Sequence, residues 1–92
     1  MSMLARFAPA SATTTEQYDE VIGRLEAEGN WPPEGLEYHC CFLADGNVRV
    51  SEIWDSPEHF HAFGERLMPV LADAGIDAGQ PEILEVYNVI KR

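Results

Sequence analysis

An α+β fold of order βαββαβ is what this sequence predicts, on three observations. Two stretches carry apolar residues at helical spacing: Tyr18, Val21, Ile22 and Leu25 in one, and Phe60, Phe63, Leu67, Leu71 and Ala74 in the other. The remaining apolar residues gather in four short runs with the composition of strands. Turn and cap residues stand at the borders between these runs: Thr13 and Thr14, Asp45-Gly46-Asn47, and Ser56-Pro57. A length of 92 residues is expected to make a single domain, 1–92. Such a chain buries only about 60–65% of its unfolded surface, so a second subunit would add stability.

The elements follow in order. Leu4 to Ala8 reads as the first strand, ended by Pro9. Thr13-x-x-Glu16 and Thr14-x-x-Gln17 are both capping-box patterns, and either threonine can start the first helix. Gly29 suits the left-handed position that stops it. Trp31-Pro32-Pro33-Glu34-Gly35 is a rigid loop, because two prolines forbid a central strand. Leu36 to Ala44 is the second strand and Val48 to Trp54 the third, joined at Asp45-Gly46-Asn47. Ser56 caps the second helix, with Pro57 at its first position, where the missing N–H costs nothing. That helix runs to about Ala74, with Pro69 expected to kink it or end its first segment. Ile83 to Ile90 is the fourth strand.

Each helix joins two strands that run the same way, and such crossovers are right-handed. Both helices therefore lie on one face of a four-stranded antiparallel sheet, the ferredoxin-like arrangement. In the fourth strand, Ile83, Tyr87 and Val89 point one way, and Leu84, Val86 and Ile90 the other. Two helices cover only one of these apolar faces. A second copy of the chain is the economical cover for the other, which predicts a homodimer with its sheets face to face.

Composition excludes several classes. The formal net charge is −10, from 16 acidic and 6 basic residues. That argues against a nucleic-acid partner and against an anionic membrane surface. No apolar run approaches the ~20 residues of a membrane span, and the N-terminal stretch lacks the apolar core of a signal peptide, so a cytoplasmic location is expected. Cys40 and Cys41 are adjacent and point to opposite faces of a strand, which disfavours a disulfide between them. No Cys-x-x-Cys pattern, phosphate-binding glycine loop or Gly-x-Ser-x-Gly elbow is present.

The βαββαβ order, the Pro-Pro-x-Gly loop and the junction Trp54, Ser56, Phe60 resemble the dimeric α+β-barrel superfamily. That superfamily includes antibiotic-biosynthesis monooxygenases and haem-degrading monooxygenases. The resemblance implies a dimeric barrel and a small ligand held between sheet and helices. Its haem-binding members use a histidine on the second helix, at positions that here hold Phe63, Gly64 and Glu65, and an asparagine on the first strand, where Arg6 and Phe7 stand. Both marks are missing, so no haem and no other cofactor is expected.

Candidate residues gather around Trp54. With a three-residue hairpin loop, Tyr38, Cys40, Phe42, Val48, Val50, Glu52 and Trp54 share one face, apolar except for Glu52. With a two-residue loop the partners shift by one, and His39 opposes Glu52 instead. The clean apolar segregation favours the first register. A carboxylate in apolar surroundings near Trp54 is a candidate base. Trp54, Tyr38, Phe60 and Phe63 are the expected pocket walls, with Trp31 set apart in its loop. Glu52, His61 and His39 are the candidate proton-handling groups. His59 and His61 project about 200° apart on a helix and cannot chelate one metal ion together. Two functions are consistent with these residues. One is a small-molecule-binding dimer without catalysis, holding an apolar or aromatic ligand. The other is a cofactor-independent monooxygenase-like or isomerase-like enzyme acting on a small aromatic substrate.

Overall fold

Local signals set where the elements begin and end. The computed structural model describes residues 2–90. It holds β1 (Met3–Phe7), α1 (Thr15–Ala27), β2 (Leu36–Ala44), β3 (Asn47–Trp54), α2 (Pro57–Asp73) and β4 (Glu82–Glu85). Thr14, not Thr13, caps α1. Its hydroxyl accepts from the Gln17 N–H at 3.1 Å while Gln17 Oε1 accepts from the Thr14 N–H at 2.9 Å. Ser56 caps α2 by accepting from the His59 N–H, and Pro57 occupies the first turn. Pro69 does not end α2, which continues to Asp73. Glu65, whose carbonyl loses its donor there, is exposed, so water can serve that carbonyl.

The strands form one antiparallel sheet of order β2-β3-β1-β4, with both helices packed on one face. This is the expected ferredoxin-like α+β fold. The core on the helix side joins Met3, Ala5 and Trp54 of the sheet to Val21, Leu25, Phe63 and Val70 of the helices.

Two expectations are corrected. The first is the hairpin register. Ala44 pairs with Asn47, which leaves a two-residue Asp45-Gly46 turn with φ of +54° and +79°. Positive φ at both positions gives the primed turn whose twist matches the strands. His39 therefore opposes Glu52. Apolar segregation pointed to the other register because the open face is itself apolar in part, with Tyr38, Phe42 and Ile53 on it; a bulge lies farther along, between Leu36 and Tyr38. His39 and Cys41 join Glu52 and Trp54 beneath the helices. Tyr38, Cys40 and Phe42 share the open face with Ser51 and Ile53.

The second correction is β4, which ends at Glu85 instead of reaching Ile90. Its partner β1 begins at Met3, opposite Glu85. One more bond runs from the Val86 N–H to the Ser2 carbonyl. After it, Tyr87 and Ile90 are fully or almost fully exposed.

Candidate functional site

Strand alternation points Glu52 into the space under the helices, between Val50 and Trp54, where it is buried. A buried carboxylate needs partners, and Glu52 has two. Its Oε1 accepts from the Trp54 indole N–H at 3.1 Å, and its Oε2 lies 2.6 Å from His39 Nδ1. On the far side of the imidazole, His39 Nε2 lies 2.7 Å from the Tyr18 hydroxyl, carried by α1. An ionised Glu52 only accepts, so Nδ1 carries the proton it donates to Glu52. Nε2 of a neutral His39 is then the acceptor for the Tyr18 O–H. Tyr18 remains a donor across the neutral range, because burial, followed by the negative potential of neighbours that include Glu52, pushes its pKa up to about 12. Glu52 fixes the tautomer, His39 presents a basic nitrogen, and Tyr18 holds a hydroxyl against it.

This array borders a cavity of about 90 Å³ between the sheet and both helices. Phe7, Val21, Leu25, Trp31, Phe63 and Leu67 are among its apolar walls. Trp31 stands edge-on to His39, with ring centroids 4.9 Å apart, and packs at 6.2 Å from Phe63. A cavity that admits benzene measures roughly 150 Å³. The space here takes less than one ring until a wall moves. Trp31 is a partly buried wall carried by a loop.

The expected site residues fall into two groups. Glu52, His39 and Phe63 come together at the cavity. Trp54 lies beneath it, fully buried, holding Glu52 and packing on Phe60 and Phe63 at 5.7 Å each. Phe60 packs between Trp54 and Phe7, off the cavity wall. The corrected register carries Tyr38 to the open face, half exposed. His61 is exposed and lies against the Phe60 ring, at 5.5 Å between centroids. At the start of α2, Asp55 and Ser56 both approach His59 Nδ1, at 2.7 and 3.2 Å. Sharing one nitrogen, they form no relay able to activate the serine.

Tyr18 and Trp31 are the site residues that sequence reasoning missed. Tyr18 was readable as a polar tip on an apolar helical stripe, and Trp31 as a large ring held beside prolines. Among the described residues, no group of three or more His, Cys, Asp or Glu side chains is placed to hold a metal ion. No described helix is long and apolar enough to cross a membrane.

No protein-family model and no curated protein matches the chain. Solved structures do share its fold. A cofactor-independent oxygenase from Streptomyces nogalater, SnoaB, superposes with a TM-score of 0.59 at 16% identity, over 99% of this chain and 96% of that one. A protein from Deinococcus radiodurans, named as a candidate antibiotic-biosynthesis monooxygenase, gives a TM-score of 0.62 at 15% identity, over 100% and 98%. One of the same description from Chloroflexus aurantiacus gives 0.55 at 18% identity, over 96% and 94%.

Proposed function

The fold is that of antibiotic-biosynthesis-monooxygenase-like proteins, and we propose that this chain uses it to take a proton, without a cofactor, from a small ring compound bearing a carbonyl. The observation that carries this reading is the buried Glu52–His39–Tyr18 array on an otherwise apolar cavity. A ligand carbonyl takes the Tyr18 O–H away from His39. The freed Nε2 lies ready to accept a proton from the carbon beside that carbonyl. Glu52 stabilises the imidazolium that forms, and Tyr18 donates to the enolate oxygen. The neighbour described as a cofactor-independent oxygenase supports adding dioxygen as co-substrate. In that reaction a ring CH2 becomes C=O. One oxygen atom is kept, the other leaves as water with the two hydrogens, and the substrate supplies all four electrons. The proposed assembly is a homodimer formed through the open sheet face, where Tyr38, Phe42 and Leu84 are exposed.

The test uses 2-indanone, a compact ketone with acidic ring CH2 groups. Exchange of its α-protons in deuterium oxide, followed by proton NMR, should be accelerated by the native chain. The acceleration should fall about 100-fold or more in His39→Ala and about 10- to 100-fold in Tyr18→Phe. Equal rates in the native chain and His39→Ala would leave a ligand-holding protein without catalysis.

A further inference from the structure

The cavity under the helices extends well beyond the Glu52–His39–Tyr18 array. On the covered face of β3 its wall runs from Glu52 through Val50 to Val48, a span of about 13 Å at the rise of an antiparallel strand. The array stands at the Glu52 end. Three pairings build the other end. Phe7 opposes Val50, which carries Pro9 on toward Val48. The Val48 N–H donates to the Thr13 carbonyl at 3.3 Å, and the Ala10 N–H donates to the Asp77 carbonyl at 2.9 Å. The second bond brings the loop after α2 against the linker before α1, so that Ile76 and Ala78 join Pro9, Thr13 and Val48 on the wall.

This end is apolar. Thr13 carries its one polar side chain, and that hydroxyl donates to the Ser11 carbonyl at 3.3 Å. Water held there would lack its usual set of polar partners, so the space suits an apolar occupant. The whole cavity, about 90 Å³, takes less than one ring. A molecule the size of water needs only roughly 10–15 Å³. A diatomic gas therefore enters with no wall displaced.

We propose that the Val48 end of the cavity is a dioxygen site, placed to face a ring compound whose carbonyl lies at Tyr18. The co-substrate role rests on the oxygenase reading proposed above; occupancy by the gas does not. A small apolar molecule gains contact with an apolar wall and asks for no hydrogen bond. Proton removal at His39 and dioxygen at Val48 then occupy opposite ends of one space.

Xenon is the first probe, because it fills dry apolar cavities without reacting. In methyl NMR spectra of the native chain under xenon pressure, Val48 and Ile76 should shift saturably, whereas the exposed Leu43 should not. Under dioxygen pressure the same two residues should show the largest paramagnetic relaxation. Ala78→Leu narrows this end and should weaken xenon binding about 10-fold or more. Val48→Ile, at a buried strand position, fills the same end whichever way the leucine turns, and amide spectra check that both variants keep the fold. With 2-indanone bound, the relaxation at Val48 should persist. No saturable shift at Val48 and Ile76, unchanged binding in both variants, or loss of the dioxygen effect with 2-indanone bound would each overturn the proposal. The exchange assay reads the array separately. Xenon seated at Val48 without exchange of 2-indanone α-protons would count against the catalytic reading alone, and exchange without gas binding against this site alone.

Discussion

Glu52 accepts from an indole and an imidazole while shut away from water. Glu52→Gln keeps the shape but removes the charge, and should lower stability in urea by about 1–3 kcal/mol. Exchange activity should fall with it, because the imidazolium loses its counter-charge. The two tryptophans separate support from contact. Trp31 lines the cavity, and Trp54 lies under it. Adding 2-indanone should change the fluorescence of Trp54→Phe but leave that of Trp31→Phe nearly constant; the opposite pattern would put the ligand at the strand-to-helix junction. His59 offers a test by pH. Its pKa is raised, first by the hydrogen bond to Asp55, which outweighs an opposing effect of desolvation, and further by the charges of Asp55, Glu34 and Glu58. The pKa of Asp55 is lowered in turn, first by that same bond. The His59 contribution is therefore complete below about 6.5 and is lost as pH rises through its raised folded value. The Asp55 contribution is present above about 3.9 and is lost as pH falls through its lowered folded value. An NMR titration should give His59 a midpoint above 6.5 that moves back toward it in Asp55→Asn. An unmoved midpoint would show that the pair does not hold in solution.

The loop from Trp31 to Gly35 works as one element with the start of α2. The Gly35 carbonyl accepts from the Asp55 N–H at 2.9 Å, and its φ is +89°. A Cβ at Gly35 would lie 2.5 Å from the His59 Cβ, a contact that no side-chain rotation relieves. Gly35→Ala should therefore destabilise the fold by about 1–3 kcal/mol in urea denaturation. It should also disturb Trp31, seen as a change in intrinsic fluorescence before any ligand is added. A fully native stability would mean that the loop is not clamped to α2. The capping box of α1 and the serine cap of α2 were readable beforehand, because each depends on residues within one turn of the chain.

At the scale of the whole molecule, the sheet has one face under helices and one without. Tyr38, Phe42 and Leu84 are each more than a third exposed on the open face, beside the partly buried Leu4 and Ile53. Apolar surface of this kind favours the proposed homodimer. Light scattering after gel filtration should give twice the monomer mass for the native chain. Phe42→Glu should give the monomer, since it buries a charge without a partner at that face. A monomeric native chain at micromolar concentration would leave the open face without the proposed partner.

The sequence by itself determined the order of elements, the start of α2, the start of α1 to within one residue, the position of the hairpin and the cover of helices on one sheet face. Each of these follows from spacing and cap chemistry within a few residues. Glu52 and His39 were legible as candidates, because a lone carboxylate in an apolar strand needs a reason to be there. Only the tertiary structure decided that they meet. Their contact depends on a two-residue turn and the resulting parity of every side chain between them. Tyr18 and Trp31 come from α1 and its following loop, remote in sequence from Glu52, and reach the site only because α1 packs across the sheet. The length of β4 was likewise out of local reach. A strand needs a neighbour to supply its hydrogen bonds, and the neighbour of β4 is β1, remote from it in sequence.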